Sequence, residues 1–168
     1  IVFGDWSSDV CSSDLWTQPT SRQIVDRLID VIDRFRYARF FIYSHLLDPH
    51  ADYITNSETG RFAASAQPEY DGEIAWTDIH LGRLFEYLRQ AGLLERTLIV
   101  LSADHGEAFG EHGDRFHGRH LYDESIRTPL IMTLPNAPGR RIGIPVGPVH
   151  IAPRSEERRV GKECRSRW

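Results

Sequence analysis

The sequence predicts an α/β domain built on a largely parallel sheet. Short runs rich in β-branched and aromatic residues alternate along the chain with longer segments of helical apolar spacing. The 168 residues suffice for at most one ordinary domain, and no internal repeat is visible. A composition that is 40% hydrophobic and 26% charged is that of a globular chain.

Taken in order, residues 19–35 (PTSRQIVDRLIDVIDRF) read as an amphipathic helix, with Ile24, Leu28, Ile32 and Phe35 on one face and Thr20 or Ser21 placed to cap it. Residues 39–46 (RFFIYSHL) read as a buried strand. A long irregular connection follows over 48–70, of a length that in a domain is usually functional or disordered. The clearest helix spans 71–92, with Ile74, Leu81, Leu84, Phe85 and Leu88 on one face and Gly92 as its C-terminal stop. Residues 96–103 (RTLIVLSA) give a second buried strand, 121–127 a short helix, 128–134 (TPLIMTL) a third strand and 135–147 a Pro/Gly-rich turn region. Parallel α/β sheets place ligands beyond the carboxyl ends of their strands. His45, Asp48 and His50 follow the first strand, and Asp104 and His105 follow the second. If these strands are parallel, both clusters open on one edge of the sheet.

The two ends differ from the middle. Residues 1–15 (IVFGDWSSDVCSSDL) are rich in Ser and Asp without periodicity, and 154–168 (RSEERRVGKECRSRW) are charged without an apolar face. They can be read as solvated tails, the second even as a nucleic-acid arm. The reading favoured here is that both are translated sequencing adapters, which DWSSDVCSSDL and RSEERRVGKECRSRW resemble in one reading frame, and such scars carry no fold information. The biological segment is then 16–153, an internal piece of a longer protein. Both cysteines, Cys11 and Cys164, fall in the scars, so the cysteine count is silent on redox compartment. Three aspartates give the first scar −3, and six Lys/Arg against three Glu give the second +3, so the segment keeps the net charge of −4. That charge offers no reason to expect nucleic acid as a partner, and no apolar run approaches the roughly 20 residues of a membrane span.

The richest chemistry lies in 98–118 (LIVLSADHGEAFGEHGDRFHG), where an apolar run stops at Asp104-His105-Gly106. Carboxylate and imidazole together suit a divalent ion of the Mn, Zn or Fe kind, and carboxylates with carbonyls and water suit Ca or Mg. Gly106, Gly110, Gly113 and Gly118 allow sharp turns or a close approach of backbone to a ligand. A His-rich polar loop is also often no more than solvated surface.

The order of the pieces decides between these. FFIYSHLLDPHADY, then the 70–113 run ending in ADHGEAFGEHG, then HGRHLYDESIRTPLIM and PVGPVHIAP, resembles the sulfatase family of the alkaline phosphatase superfamily over nearly all of residues 37–153. The match is to the C-terminal half of that family's catalytic domain. The resemblance implies a fragment of an alkaline-phosphatase-like α/β sandwich, with a divalent metal at the strand ends and hydrolysis of small-molecule or glycan sulfate esters; relatives act on phosphate or phosphonate esters. Asp104 and His105 stand where the family's second pair of metal ligands lies. Many sulfatases have Asn at the second position and bind Ca, whereas His resembles members that favour Mn or Zn, so Ca, Mn and Zn all stay open. His50, in DPHADY, matches the family histidine that contacts the ester oxygens or the leaving group, where a departing oxygen needs a proton or a positive neighbour. His117 lies one residue off the position of a sulfate-holding lysine, and His120 is the alternative. Glu111 and His112 are assigned to ordering the loop, His45 to a buried strand end, His80 to a solvated or packed helix position, and Arg127 to a structural ion pair.

Two departures from the family pattern stand out. His150 occupies the place of the Asp in VDIAPT. The family's nucleophile, a Cys/Ser-x-Pro-x-Arg signature whose residue can become formylglycine, would precede this segment together with two metal-binding aspartates, and no such signature occurs here. The sequence therefore predicts part of a sulfuric ester hydrolase, inactive by itself. The alternatives are a phosphonate or phosphodiester hydrolase or phosphotransferase on the same scaffold, and a non-catalytic metal-binding fragment. Compartment stays open, although the resemblance is to a family often exported.

Overall fold

The computed structural model describes residues 20–50, 53, 67–135 and 137–151. The terminal segments 1–15 and 154–168, and most of the 48–70 connection, lie outside the described residues.

Helix α1 (Ser21–Phe35) carries its inner face at Ser21, Val25 and Ile32, with Leu28 and Ile29 partly buried beside them. The sequence placed Ile24 and Phe35 on that face; Phe35 is instead 37% exposed and Val25 fully buried. The start of the helix is tethered from a distance. Neither Thr20 nor Ser21 caps the helix with its own side chain. Asp48, from beyond the helix, accepts the Thr20 backbone N–H at 3.0 Å and the Ser21 N–H at 2.6 Å. One carboxylate thus satisfies two of the N–H groups that every helix start leaves unpaired, at the positive end of the helix dipole. Thr20 and Ser21 are buried in consequence, and the buried stripe runs on from Ser21 at four-residue steps.

Helix α2 (Pro68–Gln90) begins three residues before the predicted start. Pro68 occupies a first-turn position where its missing N–H costs nothing, and Glu69 and Asp71 add negative charge at the same end. The helix stops as expected at Gly92, whose φ of 64° a side chain would resist; the Leu93 N–H bonds the Leu88 carbonyl at 2.8 Å. Its inner stripe is Trp76, His80, Leu84 and Leu88, and Ile74 is exposed. The two helices pack together, and Val25, Ile32, Leu84, Leu88 and Leu93 form the core.

Phe40 and Ile42 pack against this core while Phe41 and Tyr43 face solvent. The period-2 alternation expected of a strand over 39–46 is therefore present, but the segment joins no ladder among the described residues. His45, assigned to a buried strand end, is exposed. Strand β1 (Ile99–Ser102) pairs antiparallel with β4 (Leu130–Thr133), Ile99 opposite Thr133 and Ser102 opposite Leu130. Between them come β2 (Ala108–Phe109) and β3 (Arg115–Phe116), a second antiparallel pair, and the single-turn helix α3 (Asp123–Ile126). The α/β character holds; the two ladders among the described residues are both antiparallel, and no parallel pairing occurs among those residues. Ile99 reaches the core, while Leu101 and Ile131 at the far end of the ladder are exposed. No helix of the described residues is long and apolar enough to cross a membrane.

Because Asp48 replaces a local cap, Asp48→Ala should cost about 1–2 kcal/mol of stability. Chemical denaturation of the two chains checks this; an unchanged midpoint would mean that the contact is idle.

Candidate functional site

The Asp104-His105-Gly106 turn leaves the end of β1 and folds onto α3. The Gly106 N–H donates to the Ser125 carbonyl at 2.8 Å, and a Cβ at position 106 would collide with the Glu124 carbonyl oxygen. Only glycine allows the two backbones to lie this close. The Asp104 side chain is 68% exposed and that of His105 43% exposed, so both reach solvent at the strand end. Asp104 also accepts the His105 backbone N–H at 3.1 Å. The His105 ring Nδ1 lies 2.9 Å from the Gly106 carbonyl, which can only accept, so Nδ1 is the donor there, and Nε2 lies 3.8 Å from Asp104 Oδ1.

Beyond the turn, the hairpin of β2 and β3 brings the chain back. Gly110 (φ 118°) and Gly113 (φ 80°) take the left-handed conformations of its reversal, joined by His112 at φ 53°. The strained histidine is clamped: its Nδ1 lies 2.8 Å from Glu124 Oε1, and its ring stacks on Tyr122 at 3.9 Å. Glu111 turns inward and accepts the Phe109 N–H at 2.6 Å. His117 then stacks on His105 with ring centroids 3.8 Å apart.

Asp104, His105, His117, Arg119 and His120 line a single open cleft of about 360 Å³ closed on one side by α3. Four of the five sequence-predicted site residues therefore meet. The fifth, His50, does not line this cleft; it is exposed, and its backbone N–H donates to Glu73 Oε2 at 2.9 Å. His120 Nε2 lies 2.9 Å from Asp114 Oδ2, with Arg119 at 3.6 Å from the other oxygen of the same carboxylate. Arg127 forms no ion pair among the described residues. His80 is buried on α2 beside Trp76.

Sequence reasoning missed four residues. Glu107, only 7% exposed, sits 3.1 Å from His117 Nδ1 and accepts the Tyr53 hydroxyl at 2.6 Å. Tyr53 packs edge-on against Tyr70, which packs on Phe109. Burial, followed by the hydrogen bond to Glu107, pushes the Tyr53 hydroxyl pKa up, so it stays a proton donor to that carboxylate. Asp114 gathers the cationic rim, and Glu73 is a carboxylate buried on α2. Glu107 belongs to the DHGE run already singled out, but its partner lies ten residues away and only folding reveals it.

An exposed carboxylate and an imidazole, Asp104 and His105, are adjacent at the strand end, and donors of these two kinds suit a divalent ion. No group of three potential ligands converges among the described residues.

A family model described as Sulfatase matches residues 4–155, and the chain belongs to the sulfatase family. Human arylsulfatase K is 34% identical over 109 residues, covering 62% of this chain and 19% of that protein. An N-acetylglucosamine-6-O-sulfatase of Bacteroides thetaiotaomicron is 41% identical over 69 residues, 41% of this chain and 12% of its own length. An ulvan-active sulfatase of Formosa agariphila is 30% identical over 118 residues, 66% of this chain and 23% of its own. The crystal structure of yidJ from Bacteroides fragilis, 23% identical, superposes with a TM-score of 0.41 over 73% of this chain and 23% of that one. The chain thus spans about a quarter or less of the length of the relatives it matches.

Two outcomes follow from the packing of the turn. Gly106→Ala should separate the turn from α3 and cost about 1–3 kcal/mol, read as a lower thermal midpoint; Gly82→Ala, where a Cβ meets nothing, is the control. The Glu124 carboxylate is held below its ordinary pKa by a backbone hydrogen bond and by His112. Its contribution is therefore complete above the ordinary carboxylate range and lost as the pH falls through the lowered folded value. The His112–Tyr122 stacking signals in a proton NMR titration should disperse over that acid window, and His112→Ala should remove the transition.

Proposed function

We propose that this chain is the C-terminal part of the catalytic domain of a metal-dependent sulfate-ester hydrolase, with 16–153 as its biological segment. The observation that carries the reading is the meeting of Asp104, His105, His117 and His120 in one cleft at the end of β1. Asp104 and His105 Nε2 are two of the ligands for a divalent cation, one of Ca, Mn or Zn; the remaining ligands and the nucleophile, a formylglycine or an unmodified residue, belong to the preceding part of the protein. Bound there, the cation would polarise the ester anion and favour deprotonation of the nucleophile. His117, with His120 at the rim, binds the sulfate oxygens. His50, steadied through its backbone by Glu73, reaches the leaving oxygen once the preceding part completes the site, and a proton on its ring is delivered to that oxygen as the S–O bond breaks. The sheet of the longer protein is largely parallel, with the β1–β4 ladder as its antiparallel margin. The substrate class is a small-molecule or glycan sulfate ester, and neither nucleic acid nor membrane enters the reading.

A second reading rests on His105. Imidazole in place of an amide ligand suits Mn or Zn over Ca, which favours a phosphonate or phosphodiester substrate on the same scaffold. Two chains test both. The 168-residue chain should show no turnover of aryl sulfate. A longer chain that includes the preceding half should hydrolyse aryl sulfate in preference to aryl phosphodiester, lose the activity to a chelator, and lose at least about tenfold in metal affinity on Asp104→Ala. Preference for the phosphodiester would select the second reading. Metal-independent turnover, or turnover by the 168-residue chain alone, would overturn the first.

A further inference from the structure

We propose that Glu107 is a positioning residue of this site, holding His117 with its Nδ1 protonated so that exchange with a bound ester is confined to Nε2. The inference rests on the reading of the cleft given above and adds to it the residue that fixes how His117 faces the substrate.

Three observations carry it. The Glu107 carboxylate is 7% exposed and contacts His117 with one oxygen, 3.1 Å from Nδ1, and Tyr53 with the other, at 2.6 Å. An ionised carboxylate only accepts hydrogen bonds, so both partners must donate and Nδ1 must carry a proton. The opposite ring nitrogen is then the one left to the cleft that His117 lines. The second observation is the stack on His105 at 3.8 Å and 27°. Tethered at Nδ1 on one side and pressed against His105 on its face, the ring has lost both the rotation about its own axis and the choice of tautomer. The third is that His105 is held in the same sense, with its Nδ1 on the Gly106 carbonyl. Consecutive residues, the backbone of 106 and the side chain of 107, thereby impose one tautomer on two stacked imidazoles.

The chemical consequence is specific. With Nδ1–H held by Glu107, Nε2 is the ring nitrogen that meets an ester oxygen, and the ring need not flip to present it. Tyr53, donating to the second oxygen and packed on Tyr70, keeps the carboxylate from turning away.

The test is the protonation of His117 Nδ1, read by long-range proton–nitrogen correlation on the full 168-residue chain labelled with nitrogen-15 histidine. It is read above the ordinary imidazole pKa of about 6.5, with His117→Asn to assign the signal. Expected are a protonated Nδ1 in the parent chain, retention in Glu107→Gln, whose carbonyl oxygen still accepts, and loss in Glu107→Ala. An unprotonated Nδ1 in the parent chain, or protonation that survives Glu107→Ala, overturns the proposal. If Glu107→Ala fails to fold, the parent chain and Glu107→Gln decide it alone. In the longer, active chain, Glu107→Ala should lower kcat/KM about 10–100-fold, with most of the loss recovered by Glu107→Gln. The two proposals fail separately: a protonated Nδ1 with no sulfate hydrolysis by the longer chain sinks the sulfatase reading alone, and hydrolysis with an unprotonated Nδ1 sinks the role of Glu107 alone.

Discussion

The backbone contact between Gly106 and residues 124–125 is the constraint on which the site depends. A hydrogen bond of 2.8 Å to Ser125 and a carbonyl that leaves no room for a Cβ fix the Asp104-His105 turn on α3. Everything else in the cleft is built outward from that contact. The chain between the two touching points must leave and return within eighteen residues, and it does so through the β2–β3 hairpin with left-handed glycines at 110 and 113. The same α3 residue that crowds Gly106 through its carbonyl clamps His112 through its carboxylate. Turn, hairpin and helix are therefore one unit, and the strain at His112 is balanced inside it.

The electrostatics of that unit are divided in space. Asp104 is the carboxylate left open to solvent at the strand end, where a cation can reach it. Glu107 and Asp114 are shielded and already engaged, the first with Tyr53 and His117 and the second with His120 and Arg119. Carboxylates so occupied are suited to orient imidazoles, and Asp104 is the most open of the three. Tyr53 extends the unit in the other direction. Its hydroxyl donates to Glu107, which in turn holds His117, while the His50 backbone N–H donates to Glu73 on α2.

Much of the fold was legible in the sequence, because long amphipathic helices announce themselves by apolar spacing and by stop signals such as Gly92. What was not legible came from contacts between distant residues. The first N–H groups of α1 are satisfied by Asp48, not by Thr20 or Ser21. The 39–46 segment has the alternation of a strand, with Phe40 and Ile42 inward, but pairing depends on a neighbour that alternation cannot name. Nor can a run of apolar residues name its partner strand, and β1 pairs antiparallel with β4. In the site, Asp104 and His105 were picked out by residue type and order and His117 and His120 by the family resemblance, and the four line one cleft. Glu107 was passed over because an acidic residue in a loop is ordinarily solvated, and its burial against Tyr53 and His117 is a tertiary fact. His45 erred in the opposite sense, assigned to the interior by a strand that did not pair.

The central claim is that Asp104 and His105 form half of a metal site whose other half precedes this segment in a longer chain. The most direct measurement is the genomic DNA sequence on the 5′ side of the region encoding residue 16. The account predicts an open frame carrying paired aspartates followed by a Cys/Ser-x-Pro-x-Arg nucleophile signature, with the residues now at 1–15 absent from the gene. A frame that runs unbroken through IVFGDWSSDVCSSDL, with no nucleophile or paired aspartates before it, would contradict it and leave a metal-binding fragment without catalysis.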